Sequence, residues 1–373
     1  MKQRLGIWLI FALLLSGAVV LVYTNVKPAA GPGLPEVTQV MTAGITVEDE
    51  AGRKVIFPRS PERIVVLNGY PAEVLCALNA GNRIVGICNP LAEDFTELRG
   101  KQSVGNSSVT PDLEKILELR PDLVIAYQWT KKEVIDELER CQIPVLCFRA
   151  WTFEELQFFA GQMGKLLDQQ SKSQELCRFI QTKMAVIEER TKKLPQDKLP
   201  KVFYESFIPY QTTSIGKMPL ETPWGTFLMG NSEEAKFALS GGINCVGQQS
   251  VRAPIVSVEW VMEKNPDVII KVFRNADRAA IPTKESLQQV RTEIMQREGL
   301  KNLAAVKAGR VYIIHSKMCA GPRQIIGLYY YARWLHPELF ADLDPQALHQ
   351  EMLERFWRLK LQGTWGYPEE HNT

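Results

Sequence analysis

Apolar positions in this chain recur with two periods, and the alternation between them lays out its architecture. Residues 64–67 form a short, wholly apolar run, as expected of a strand covered on both faces. Runs of the same kind lie at 84–87, 123–126 and 145–148. Between them the apolar residues take helical spacing: Pro71 opens a helix that Gly81 closes, and 111–119 and 131–140 follow. Ahead of them, 45–58 alternates apolar and polar around Asp49, Glu50, Ala51 and Gly52, which predicts a hairpin. Strands and helices alternating in this way build a parallel α/β sheet.

The pattern is then interrupted by one long helix over 171–193. Leu176, Phe179, Ile180, Met184 and Ile187 recur at intervals of three and four, which is one face of a 3.6-residue period. Ser171 and Gln174 have capping-box spacing, Lys192 and Lys193 suit the negative end of the helix dipole, and Pro195 ends the run. At about 1.5 Å per residue the helix spans roughly 35 Å and can act as a rigid strut. Beyond it the strand pattern resumes at 201–204 and continues through 258–263, 268–272 and 311–315.

The second half repeats the first. Glu114, Ile116, Leu117, Glu118, Pro121, Asp122, Leu123, Val124 and Ile125 correspond to Glu259, Val261, Met262, Glu263, Pro266, Asp267, Val268, Ile269 and Ile270, at a constant offset of 145 residues. Each copy reads as a helix, a Pro-Asp turn and a buried strand, so two similar lobes flank the strut. A length of 373 residues also exceeds what one core usually fills. The expected organisation is a first lobe over 45–151, connecting helices over 152–200 that include the strut, a second lobe over 201–322, and C-terminal helices and tail over 323–373.

The first residues are of another kind. Lys2 and Arg4 precede an uncharged apolar stretch over 5–23, so 1–27 reads as a signal peptide or a membrane anchor. Cleavage near Ala29 and Ala30 would release the chain, whereas retention would leave one anchor with its positive charges on the cytoplasmic side. No cysteine follows before Cys76 that would carry a lipid. Residues 28–44, rich in Pro, Gly and small polar residues, read as a flexible tether. Either way the body lies outside the cytoplasm. Seven cysteines show no C-x-x-C pair and are expected to be mostly buried free thiols.

A formal charge of +2 gives no footprint for nucleic acid. Open parallel sheets bind ligands beyond the carboxyl ends of their strands, so two facing sheets make a cleft lined by 68–70, 89–90, 127–130 and 149–151 from one lobe and 205–210, 273–274 and 316–319 from the other. Asn68, Tyr70, Tyr127, Trp129, Trp151, Phe207, Tyr210 and Phe273 supply flat or polar surface, and Arg149, Arg274, Lys317 and Arg323 supply positive charge. That lining suits a bulky, partly anionic small molecule. No glycine-rich phosphate loop, dinucleotide fingerprint or nucleophile elbow is present. His315 alone among four histidines stands at a strand end in the cleft, and no residue is assigned a catalytic or metal-ligating role.

The segments ITVEDEAGRKVIFPRSPERIVVLNGYPAEVLCALNAGNRIVGI, LEKILELRPDLVIAY, NPDVIIKVF, NLAAVKAGRVYIIH and GPRQIIGLYYYARWLHPELF, in that order and spacing, resemble the ABC-transporter substrate-binding proteins of the siderophore and cobalamin type, the class with a helical backbone between its lobes. The resemblance implies two α/β lobes joined by a single long helix, no intrinsic cofactor and no catalysis. It further implies a receptor that captures a metal chelate (a ferric siderophore, haem or a corrinoid) and delivers it to a permease dimer driven by separate ATPase subunits. It gives each lobe a carboxylate that docks on the permease. Glu73 matches the first; for the second, Ala238 stands where the family has Glu, and Glu233 or Glu234 one turn earlier would substitute. An oxyanion binder for molybdate or tungstate, an enzyme using the same cleft, and a solute sensor are the alternatives. One stiff crossing helix also implies little hinge motion.

Overall fold

Two carboxylates placed identically in the two halves show why the repeat folds as it does. Asp122 accepts hydrogen bonds from the backbone N–H groups of Glu62 (2.9 Å) and Arg63 (2.7 Å), and Asp267 accepts from that of Lys201 (2.8 Å). Each thereby pins the start of a neighbouring strand, and each follows a left-handed residue, Arg120 (φ 46°) or Asn265 (φ 41°). The computed structural model describes residues 44–88, 95–206, 224–225, 232–245, 247, 255–275 and 280–369. These described residues all fall in one compact unit.

The hairpin β1 (Ile45–Glu48) and β2 (Lys54–Phe57) precedes the first lobe. That lobe runs β3 (Ile64–Val66), α1 (Gly69–Ala77), β4 (Ile84–Ile87), β5 (Gln102–Ser103), α2 (Leu113–Glu118), β6 (Leu123–Ala126), α3 (Lys132–Arg140) and β7 (Val145–Cys147). Its five strands are parallel in the order β5-β4-β3-β6-β7. Every residue of β3, β6 and β7 is buried, which is why the sequence shows unbroken apolar runs.

Two helices, α4 (Phe153–Leu166) and α5 (Gln170–Thr191), then leave the lobe. They approach closely where Gly164 faces Ser173: a Cβ on Gly164 would lie 2.6 Å from that of Ser173, whose hydroxyl donates to the Ala160 carbonyl at 2.7 Å. The expected capping box at Ser171 and Gln174 is not formed. The N-cap of α5 is Gln169, without a side-chain bond, so Ser171 already sits inside the first turn. A capping box is formed instead at the start of α4, where Thr152 and Glu155 bond reciprocally.

The second lobe comprises β8 (Lys201–Glu205), the short antiparallel pair β9 (Trp224–Gly225) and β11 (Ile255–Val256), α6 (Ser232–Leu239), β10 (Ile243–Asn244), α7 (Val258–Lys264), β12 (Val268–Phe273), α8 (Lys284–Gln296), α9 (Ala304–Lys307) and β13 (Val311–His315). The strand read over 258–263 is the helix α7, as its alignment with α2 requires. After α10 (Gln324–Leu335) and α11 (Pro345–Trp357), β14 (Gly366–Tyr367) joins this lobe's sheet antiparallel to β13, giving the order β10-β8-β12-β13-β14. The C-terminal segment is thus part of the second lobe's sheet as well as a helical tail.

The same segment reaches the first lobe. Phe356 packs on Phe179 of α5 (5.3 Å between centroids) and Trp357 on Phe95 (5.5 Å). One hydrophobic cluster runs without interruption through strands of both lobes, α5, α10 and α11. The strut carries the chain across once, and a shared core backs it. No helix among the described residues is long and apolar enough to cross a membrane. The apolar leader 1–27 and the tether up to 43 lie outside the described residues.

Candidate functional site

In both sheets the strand order turns back on itself, between β3 and β6 in the first and between β8 and β12 in the second. Loops diverge at such points and leave a crevice at the carboxyl ends. A cavity of about 190 Å³ occupies it, lined by Asn68, Gly69, Tyr70, Ser108, Tyr127 and Trp151 from the first lobe and Arg274, His315, Ser316 and Lys317 from the second.

Local chemistry sets each wall. Asn68 caps α1, accepting from the Tyr70 N–H at 3.3 Å, and its amide donates to the Arg149 carbonyl at 3.2 Å, so it joins two of the loops. Tyr127, Trp129 and Trp151 form a triangle with centroids 5.2, 5.9 and 5.5 Å apart. Trp129 is 40 % exposed and stands at the rim rather than among the lining residues. Arg149 stacks over Trp151 at 5.5 Å and is ion-paired with Glu155, so it braces the wall from behind.

Across the cavity, register places Phe273 opposite His315 at the ends of β12 and β13. Phe273 packs into the second lobe's core and against the imidazole (6.0 Å) rather than lining the cavity. The His315 Nδ1 accepts from the Lys317 N–H at 3.3 Å. Burial, followed by the charges of Lys317, Arg323 and Arg274, holds its pKa well below the usual histidine value, so the ring is neutral at pH 7. Arg274 is exposed, with its Nε 3.5 Å from the Ser316 hydroxyl. Tyr70, with its phenol pushed up to about 12 by burial, packs on Gly321, where a Cβ would come within 2.6 Å of the ring; Gly321 has φ 68°, so both space and backbone require glycine.

Of the expected ligand residues, Asn68, Tyr70, Tyr127, Trp151, Arg274 and Lys317 come together, while Phe207 and Tyr210, like 89–90, lie outside the described residues. Arg323 does not offer its charge to the cavity. It is 1 % exposed and bidentate to Glu73 at 2.6 and 3.1 Å, between the rings of Phe95 and Trp365. The same pair corrects the reading of Glu73 as a docking carboxylate: it is 2 % exposed, and the Trp357 indole donates to its carbonyl at 2.9 Å. Covering by Phe95, α10 and α11 is the physical reason, and nothing in α1 alone signals it. In α6, Glu233 is buried, bound by Lys236 at 2.5 Å and Tyr331 at 3.0 Å, whereas Glu234 is half-exposed. Ser108 was missed because β5, which leads to it, is a two-residue strand too short to leave a pattern. All seven cysteines are free, with Cys141 exposed and Cys177 and Cys245 half-buried. No group of three His, Cys, Asp or Glu side chains able to hold a metal occurs among the described residues.

The family model described as periplasmic binding protein matches residues 64–318. The chain belongs to that family. This binding protein is 25 % identical to an uncharacterized ABC transporter substrate-binding lipoprotein, YvrC, of Bacillus subtilis, over 92 % of this chain and all of that one. It is 24 % identical to the vitamin B12-binding protein of Vibrio parahaemolyticus, over 56 % of this chain and 70 % of that one. Among solved structures, the molybdate-bound MolA of Haemophilus influenzae superposes with a TM-score of 0.70 at 19 % identity, over 86 % of this chain and 99 % of that one. The fold is therefore that of the two-lobed binding proteins, and its family works by binding solutes for ABC transporters.

Proposed function

We propose that this chain is the extracytoplasmic receptor of an ABC importer, tethered or released at its apolar leader, and that it captures a bulky, partly anionic metal chelate of the ferric-siderophore, haem or corrinoid kind without chemical turnover. The supporting observation is the division of labour in the cavity: an aromatic wall of Tyr70, Tyr127 and Trp151 faces the exposed cation Arg274, while Lys317 lines the floor with its ammonium turned over the Trp365 ring. Flat apolar faces suit a macrocycle or catecholate, and the Arg274 guanidinium suits its acidic edge. The cavity is smaller than the ~300–1,000 Å³ of whole-ligand pockets, so it grips one edge of such a molecule.

The same small volume favours, as a second reading, a compact oxyanion such as molybdate held by Arg274, Ser108 and Ser316. Calorimetric titration with haemin, cyanocobalamin, ferric enterobactin and molybdate separates the two, and silence across all four would sink both. Docking to the permease rests on Glu234, the half-exposed carboxylate of α6. A charge there steers and orients the encounter. Glu234→Lys is expected to abolish stimulation of the importer's ATPase while leaving ligand affinity intact; unchanged stimulation rejects the assignment.

A further inference from the structure

We propose that Glu50, at the tip of the N-terminal hairpin, is a positioning residue for the ligand cavity: together with Glu155 it fixes the loop that holds Trp151 in the wall. The proposal deepens the reading of the cavity as the solute site and rests on it. Four consecutive backbone N–H groups, from Arg149 to Thr152, turn onto just two carboxylates. Glu50 accepts from Arg149 (2.9 Å) and Ala150 (3.1 Å), one on each oxygen. A single oxygen of Glu155 accepts from Trp151 (2.9 Å), Thr152 (3.2 Å) and the Arg149 Nε (2.9 Å). Ala150 sits between them at φ 53°, a left-handed conformation unfavourable for a residue with a Cβ, so the loop does not hold this shape by its own preference.

The hairpin is itself anchored to the end of β7. Asp49 accepts from the Cys147 N–H at 3.0 Å and from Arg53 at 2.8 and 3.0 Å, and the Glu50 N–H donates to the Cys147 carbonyl at 3.2 Å. A hairpin outside the lobe's sheet thus reaches back to set a cavity wall. Sequence hides this, because Glu50 is nearly a hundred positions from the loop it serves.

A glutamine at 50 separates positioning from bulk stability. Burial raises the Glu50 pKa against the opposing pull of the two N–H groups and Arg149, with Asp49 beside it, so its ionised form is held at a cost in the folded chain. Glu50→Gln removes that cost but leaves one N–H facing an NH2 group in place of an acceptor. The melting temperature should change little while the loop loosens.

The test uses the full chain in detergent, labelled with 5-fluorotryptophan, with the Trp151 resonance assigned by Trp151→Phe. In Glu50→Gln the Trp151 ¹⁹F signal is expected to shift or broaden while the signals of Trp334 and Trp357 stay in place, and Glu50→Asp is expected to restore it in part. The same variant should bind whichever of haemin, cyanocobalamin, ferric enterobactin and molybdate the wild type binds about tenfold more weakly, the scale of one lost buried hydrogen bond. An unmoved Trp151 signal overturns the clamp, and a moved signal with unchanged affinity overturns its role in binding. If the wild type binds none of the four, the proposed function fails while the fluorine spectrum still decides the clamp.

Discussion

Replacing Arg323 by alanine strips Glu73 of its partner inside the protein. Both side chains are almost wholly buried, and a carboxylate left alone there is far costlier than the pair. Arg323→Ala should lower stability by about 3–5 kcal/mol in chemical denaturation, and the double change with Glu73→Gln should recover part of the loss. His315 and His349 act in the opposite electrical sense: burial first, then neighbouring Lys317 and Arg323, hold both rings neutral, with pKa values well below the usual one. A depressed folded-state pKa means stability is present above the unfolded value of about 6.5 and is lost as pH falls below it, because only the unfolded rings take up protons freely. Denaturant midpoints measured from pH 7 to pH 5 should therefore fall, and His349→Phe should flatten the slope. At this scale the sequence was least legible. Glu73, Arg323 and Arg149 were read as exposed or ligand-facing because single-position chemistry says nothing of which distant helix or carboxylate covers a charge.

Elements were far more legible, since the apolar runs and the offset repeat report burial by backbone period directly. What failed was where helices begin. Capping spacing at Ser171 and Gln174 is present in the sequence, but α5 starts one residue earlier, packed against α4 through Gly164 and Ser173, and tertiary packing overrides the local signal. Thr152→Ala should cost about 1 kcal/mol, as for other caps whose side chain accepts an N–H. Ser171→Ala should stay within about 0.5 kcal/mol, as for exposed positions. Thermal melts of the two variants check the contrast, and equal losses would argue that the box lies at Ser171 after all.

For the whole molecule, two lobes and a crossing helix followed from the repeat, whereas the C-terminal segment did not declare its double attachment. Its strand β14 lies in the second lobe's sheet while Trp357 reaches Glu73 and Phe95 in the first. With α5 and a continuous core, this makes the lobes poor candidates for wide opening. Small-angle scattering should show the radius of gyration changing by less than about 1 Å when ligand is added, and a compaction of several ångströms would refute the stiff frame. The central claim is that a solute is gripped between an aromatic face on one lobe and the Arg274 cation on the other. Its most direct test is a calorimetric comparison of the wild type with Arg274→Glu, each titrated with haemin, cyanocobalamin, ferric enterobactin and molybdate. One-to-one binding of at least one of them by the wild type, weakened tenfold or more by the charge reversal, is the predicted result; no binding, or binding indifferent to the reversal, would contradict it.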